Sequence, residues 1–135
     1  MDLEKSIQIS ASGMKAQGTR LRVIAENIAN AGSVAEQPGD DPYRRKMVIF
    51  KNVLDRELGA RTVEVSRVRE DMSDFGLRYD PAHPAANEEG YVRTPNVKSL
   101  VEMMDMREAQ RSYEANLNLI ESSKSMLART LDLLR

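Results

Sequence analysis

From position 97 to the end of the sequence there is neither glycine nor proline, and apolar side chains recur in steps of three and four. Met106, Tyr113, Leu117, Ile120, Leu127, Leu131 and Leu134 mark this seam, with Gln110 and Lys124 as its polar members. Such spacing predicts an amphipathic helix of coiled-coil type. At 1.5 Å per residue, a helix over 97–134 is a rod of roughly 55–60 Å, longer than a small globule needs. Asn96, after Pro95, is the expected N-cap.

The other end carries a second heptad seam: Leu3, Ile7, Met14, Leu21, Ile24 and Ile28, with Ser10 and Gln17 between them. Asp2 is placed to cap this helix, and Asn30 with Gly32 to close it through a left-handed residue. Gly13 and Gly18 each cost about 1 kcal/mol relative to Ala inside a helix. Close approach by another helix is the usual compensation.

Between the helices the chain changes character. Residues 32–95 hold all five prolines, with a polar loop over 33–42. Met47-Val48-Ile49-Phe50 and the stretch 62–69 read as strands of a small hairpin, and the residues around Pro81, Pro84 and Gly90 as turns. The expected architecture is mainly α. Terminal helices over 1–31 and 96–135 pair as a coiled-coil-like core, around a small irregular and β central segment at 32–95.

Composition narrows the function. Aromatics are 4% of the residues and Trp is absent, so the core is thin and stability is expected to come partly from neighbours. The net charge of −1, with both signs interspersed, gives no basic face for nucleic acid. No cysteine is present for thiol chemistry, and the single histidine, His83, sits in a turn with no ligand set around it. Adjacent acids and scattered glycines form no acid–base pair or phosphate loop. No enzyme, metal, cofactor or small-molecule ligand is expected. Neither a cleaved signal peptide nor a membrane span is visible. Met103, Met104, Met106 and Met126 suit an adaptable interface, or simply fill a core.

Specific strings then carry a resemblance. Ser12-Gly13-Met14-Lys15-Ala16-Gln17, followed by Asn27-Ile28-Ala29-Asn30, resembles the N-terminal signature of the flagellar rod, hook and hook-associated axial proteins. Pro95-Asn96-Val97, Glu102-Met103 and Ala109-Gln110-Arg111-Ser112-Tyr113-Glu114-Ala115-Asn116 resemble the C-terminal one. The chain is too short for the large inserted domain of distal rod or hook subunits. Pro42-Tyr43-Arg44-Arg45-Lys46, the run from Tyr79 through Pro84 to Asn87, and Gly90-Tyr91-Val92 are similar to a proximal rod member.

The resemblance implies a subunit exported unfolded through the flagellar type III apparatus and polymerised helically in the periplasm. The product is a hollow shaft that transmits torque and passes export substrates. Implied partners are the chain itself, the rod proteins FlgB, FlgF and FlgG, the ring adaptor FliE and the MS ring. The seam residues are the expected packing surface. Tyr43, Arg44, Arg45 and Lys46 are candidate outer contacts, and Phe50 with Leu54 resembles an element of early export substrates. The alternatives are another short rod protein of FlgB type, or a coiled-coil adaptor or chaperone of export.

Overall fold

In the computed structural model, which describes residues 2–135, two helices account for 46% of the chain and the remaining regular structure is short strands. The protein is mainly α. Helix α1 spans Leu3–Ala29 and helix α2 spans Ser99–Leu133. Between them lie β1 (Lys46–Asp55), β2 (Ala60–Glu70), β3 (Gly76–Tyr79) and β4 (Tyr91–Thr94). The chain divides into two compact units. The first comprises residues 1–21, 48–67 and 107–135; the second comprises 22–47 and 68–106.

Asp2 starts α1 as expected, its carboxylate accepting the Lys5 N–H at 3.2 Å. The other end departs from expectation. Neither Asn30 nor Gly32 is left-handed; positive φ among the described residues occurs only at Gly39, Gly59 and Gly90. Instead the Asn30 side-chain amide donates to the Glu26 carbonyl at 2.8 Å, and Ser33 Oγ donates to the Asn30 carbonyl. These groups satisfy the terminal carbonyls that a left-handed cap would otherwise serve.

In the first unit, β1 and β2 form a ribbon longer than the alternation in the sequence suggested. Asp55 organises its turn: the carboxylate accepts the N–H groups of Glu57 and Leu58, and its carbonyl accepts that of Gly59. Gly59, at φ +64°, supplies the left-handed residue that closes the loop. Lys51 and Glu64 pair across the ribbon at 3.6 Å. The buried residues here are small or polar: Ser10, Ala16, Ala109 and Ser123.

The second unit holds a sheet that the turn-rich sequence did not suggest. Strands β3 and β4 pair antiparallel, with Gly76 opposite Thr94 and Tyr79 opposite Tyr91. The loop joining them folds on itself. Asn87 Oδ1 accepts the Glu89 and Tyr91 N–H groups, and His83 Nδ1 accepts that of Ala85 at 3.0 Å. Tyr79 meets Tyr91 edge-on at 5.3 Å. Gly90 sits beneath Tyr79 at φ +85°, where a Cβ would lie 2.9 Å from the ring and 3.1 Å from Pro81. Gly90→Ala is therefore expected to destabilise the protein by about 1–3 kcal/mol, measured as a lower urea midpoint. Val23, Ile24, Ala85 and Val92 form this unit's apolar core.

Helix α2 begins two residues later than expected. The Glu102 N–H bonds to the Lys98 carbonyl, and Asn96 does not cap it. The Asn96 side chain is committed elsewhere: Oδ1 accepts the Arg45 N–H at 2.7 Å and Nδ2 donates to the Asp71 carbonyl at 2.9 Å.

Candidate assembly surface

Apart from Asp105 and Ser112 at its flank, the positions of α2 shielded from solvent are 102, 106, 109, 113, 116, 120 and 123, again at heptad spacing. This face shares Met106, Tyr113 and Ile120 with the seam read from the sequence. Its other members, however, are Glu102, Ala109, Asn116 and Ser123, each one position before a seam residue or its extrapolation. Gln110 and Lys124 are exposed. Helix α2 thus carries two adjacent seams, one of small and polar residues turned inward and one rich in leucine turned outward.

Small side chains explain the inward choice. In the first unit a Cβ on Gly13 would come within 2.9 Å of Asn116 Nδ2, so the Asn116 side chain fills the space that a larger residue at 13 would need. Arg20 pairs with Glu108 at 3.7 Å. Gly13 beside Asn116 and Arg20 beside Glu108 make this contact antiparallel. Carried to the start of α1, the register places Leu3 beside about residue 126, so nearly two turns of α2 run past it. Two buried polar atoms of α1, Ser10 Oγ and Gln17 Oε1, have no hydrogen-bond partner among the described residues. A contact with so little apolar area and two unsatisfied groups is weak.

The seam residues divide accordingly. Ile24 is buried, and Leu3, Ile7, Met14, Leu21, Ile28, Met106, Tyr113 and Ile120 are half-buried. Leu117 and Leu127 are exposed, Leu131 is 54% exposed and Leu134, just beyond α2, is 79% exposed. Leu119, Met126 and Leu133 are exposed as well. Phe50 and Leu54 lie exposed on β1.

The stretch Tyr43–Lys46 has partners within the second unit. Tyr43 donates to Asn27 Oδ1 at 2.8 Å, and burial, then the charges of Glu26 and Glu102, raise its pKa. Arg44 stacks on Phe75 at 4.2 Å and donates to the Asp71 and Ser73 carbonyls. Lys46 pairs with Glu26 at 3.4 Å.

Arg45 reaches furthest inward. Its Nε donates to Glu102 Oε1, while its terminal nitrogens meet Asp71 at 3.4 Å and Asp105 at 3.6 Å. Burial acts to lower the Arg45 pKa, but the Glu102 hydrogen bond and charge, with Asp71, outweigh it and raise it. Asp71 is held below its ordinary value, first by the Ser73 N–H and, against a burial penalty, by the Ser73 hydroxyl and Arg45.

Glu102 and Asn27 complete the cluster. Glu102 is 0% exposed, an expensive place for a carboxylate, and both of its oxygens are bonded: Oε1 to Arg45, Oε2 to Asn27 Nδ2 at 3.2 Å. Asn27 uses its full capacity. Nδ2 also donates to the Lys46 carbonyl at 2.9 Å, while Oδ1 accepts the Lys46 N–H and the Tyr43 hydroxyl. One amide therefore ties α1 to the start of β1 and to α2. The sequence hid this: the leucine seam, continued back three from Met106, lands on Met103, and Glu102 stands one position off it among residues that look like the exterior of a helix.

Among the described residues no group of His, Cys, Asp or Glu is arranged to hold a metal ion, and no helix is long and apolar enough to cross a membrane. Residues 7–32 match the family model described as "Flagella basal body rod protein", and 88–133 that described as "Flagellar basal body rod FlgEFG protein C-terminal". Three curated relatives, each named flagellar basal-body rod protein FlgC, align over nearly the whole chain. That of Agrobacterium fabrum is 49% identical, covering 98% of this chain and 96% of its own length. Those of Bacillus subtilis and Salmonella typhimurium are each 41% identical, covering 95% and 98% of both chains respectively. The chain belongs to the flagellar basal-body rod protein FlgC family.

Proposed function

We propose that the outward leucine seam of α2 is the surface through which this subunit packs into the rod. The chain is a structural rod subunit of the flagellar basal body, where it associates with other rod proteins, and it is not an enzyme. Family membership sets aside the adaptor and chaperone reading and favours FlgC over a FlgB-like protein.

In the proposed arrangement, residues 1–31 and 96–135 form a coiled-coil-like assembly core. The inward seam of α2 holds α1, and the outward seam takes helices of neighbouring subunits. Non-closing contacts of this kind build a helix and not a ring. The product is a hollow periplasmic shaft that carries torque and passes export substrates, while residues 32–95 face outward. Its neighbours are further copies, FlgB, FlgF, FlgG and FliE, next to the MS ring. The chain reaches that place unfolded through the type III apparatus, with Phe50 and Leu54 as the proposed export contact.

The observation that carries the packing proposal is the exposure of Leu117, Leu127, Leu131 and Leu134 on a helix that has already paired its other face. Because the chain has no cysteine, a single Leu131→Cys is a unique crosslinking handle. Photocrosslinking from a benzophenone attached through a maleimide to the thiol at position 131, in isolated basal bodies, should give products linked to another rod subunit. Only uncrosslinked chain would contradict the proposal.

A further inference from the structure

The first two turns of α2 are oriented against hydrophobicity. Leu100 is 73% exposed, Met103 51% and Met104 64%, and Val101 is exposed too, yet Glu102 between them is fully buried. One residue turns a helix by about 100°, so Leu100, Met103 and Met104 share a face turned away from that of Glu102. Apolar burial alone would turn that face inward and send the carboxylate to water.

What opposes this is specific. Glu102 is bonded to Arg45 Nε and to Asn27 Nδ2, and Asn27 is itself held by both backbone groups of Lys46 and by Tyr43. Asp105, on the same side of the helix, meets Arg45 as well. These partners come from α1, from the approach to β1 and from β1 itself, and turning α2 breaks their bonds to it together. A buried polar pair contributes little net stability relative to apolar replacements, but it can select one register over another.

We infer that the Arg45–Glu102–Asn27 cluster is a rotational latch on α2, which sets the helix so that its apolar face points away from the chain's own core. The use of the outward residues in rod packing rests on the reading above; the latch does not. Measurements on the isolated monomer separate the two.

The test is thiol labelling of Met103→Cys in the full-length monomer, with and without Arg45→Ala/Glu102→Ala. Removing both charges leaves no fully buried ion: Asp71 and Asp105 lose the Arg45 contact, but their side chains are 24% and 32% exposed and can be hydrated. In the parent, the thiol at 103 should react at close to a free-thiol rate. In the double variant, with the helical circular-dichroism signal retained, reaction should slow about tenfold as that face turns inward. An unchanged rate in a folded double variant would overturn the latch, because packing alone would then set the rotation. Loss of the helical signal would overturn it too, since the cluster would then hold the fold and not its register.

Discussion

Leu131→Asp is expected to abolish rod assembly and swimming while leaving the monomer as stable as the parent. Both halves follow from where Leu131 stands. It lies on the part of α2 that runs past the start of α1, and it is 54% exposed, so a carboxylate there stays in water in the monomer. Surface changes of this kind usually shift stability by no more than about 0.5 kcal/mol. In an assembled rod, the same side chain would be pressed against a neighbouring helix. Burying an unpaired carboxylate there costs several kcal/mol, on the order of a whole subunit contact. Urea denaturation of the monomer and a swimming assay in a complemented strain check the two halves separately. A variant that unfolds would mean that Leu131 supports the monomer; one that swims normally would mean that the seam faces no neighbour.

Asn27→Ala has the opposite profile, and its effect on the monomer is the largest expected. The substitution removes the amide that satisfies the Lys46 N–H and carbonyl, the Tyr43 hydroxyl and one Glu102 oxygen. Each lost bond in a buried setting leaves a group desolvated and unpaired, at about 1–3 kcal/mol. Water entering the small space left behind offsets part of this. A net loss of about 3–5 kcal/mol is expected, at the upper end for one substitution. Denaturant titration gives the magnitude, and hydrogen exchange shows whether protection falls first in residues 22–47 and 68–106. Asn27→Asp separates geometry from chemistry. It keeps the shape and the acceptor but replaces the donor towards Glu102 with a second carboxylate, so it should be no better tolerated than alanine.

The helices were legible because periodicity over more than twenty residues outweighs local irregularity. The face that α2 turns inward was not. Leucines draw a seam assignment to themselves, whereas Ala109, Asn116 and Ser123 look like the exterior of a helix. Small residues pack by bringing backbones together, and hydrophobic patterning does not register that. The β3–β4 sheet was missed because Gly76-Leu77-Arg78-Tyr79 is four residues long and both its leucine and its outer tyrosine are exposed. Its stability comes from the self-bonded loop around His83 and Asn87, which sequence spacing shows only as turns.

Asn96 illustrates another limit. An asparagine after proline and ahead of a helical pattern is a good N-cap candidate by every local rule. The Arg45 backbone and the Asp71 carbonyl take its side chain instead. Tyr43, Arg44, Arg45 and Lys46 show the same limit: as a basic run next to a loop they suggest an outward surface, but each has a partner that is distant in sequence and close in the fold.

A density map of the assembled basal body, with this chain traced in the rod, tests the central claim most directly. The leucine seam of α2 should be buried there, with Leu127, Leu131 and Leu134 in contact with helices of neighbouring subunits. Finding those side chains exposed to the bore or to the outer surface, with subunits joined through residues 32–95 alone, would contradict it.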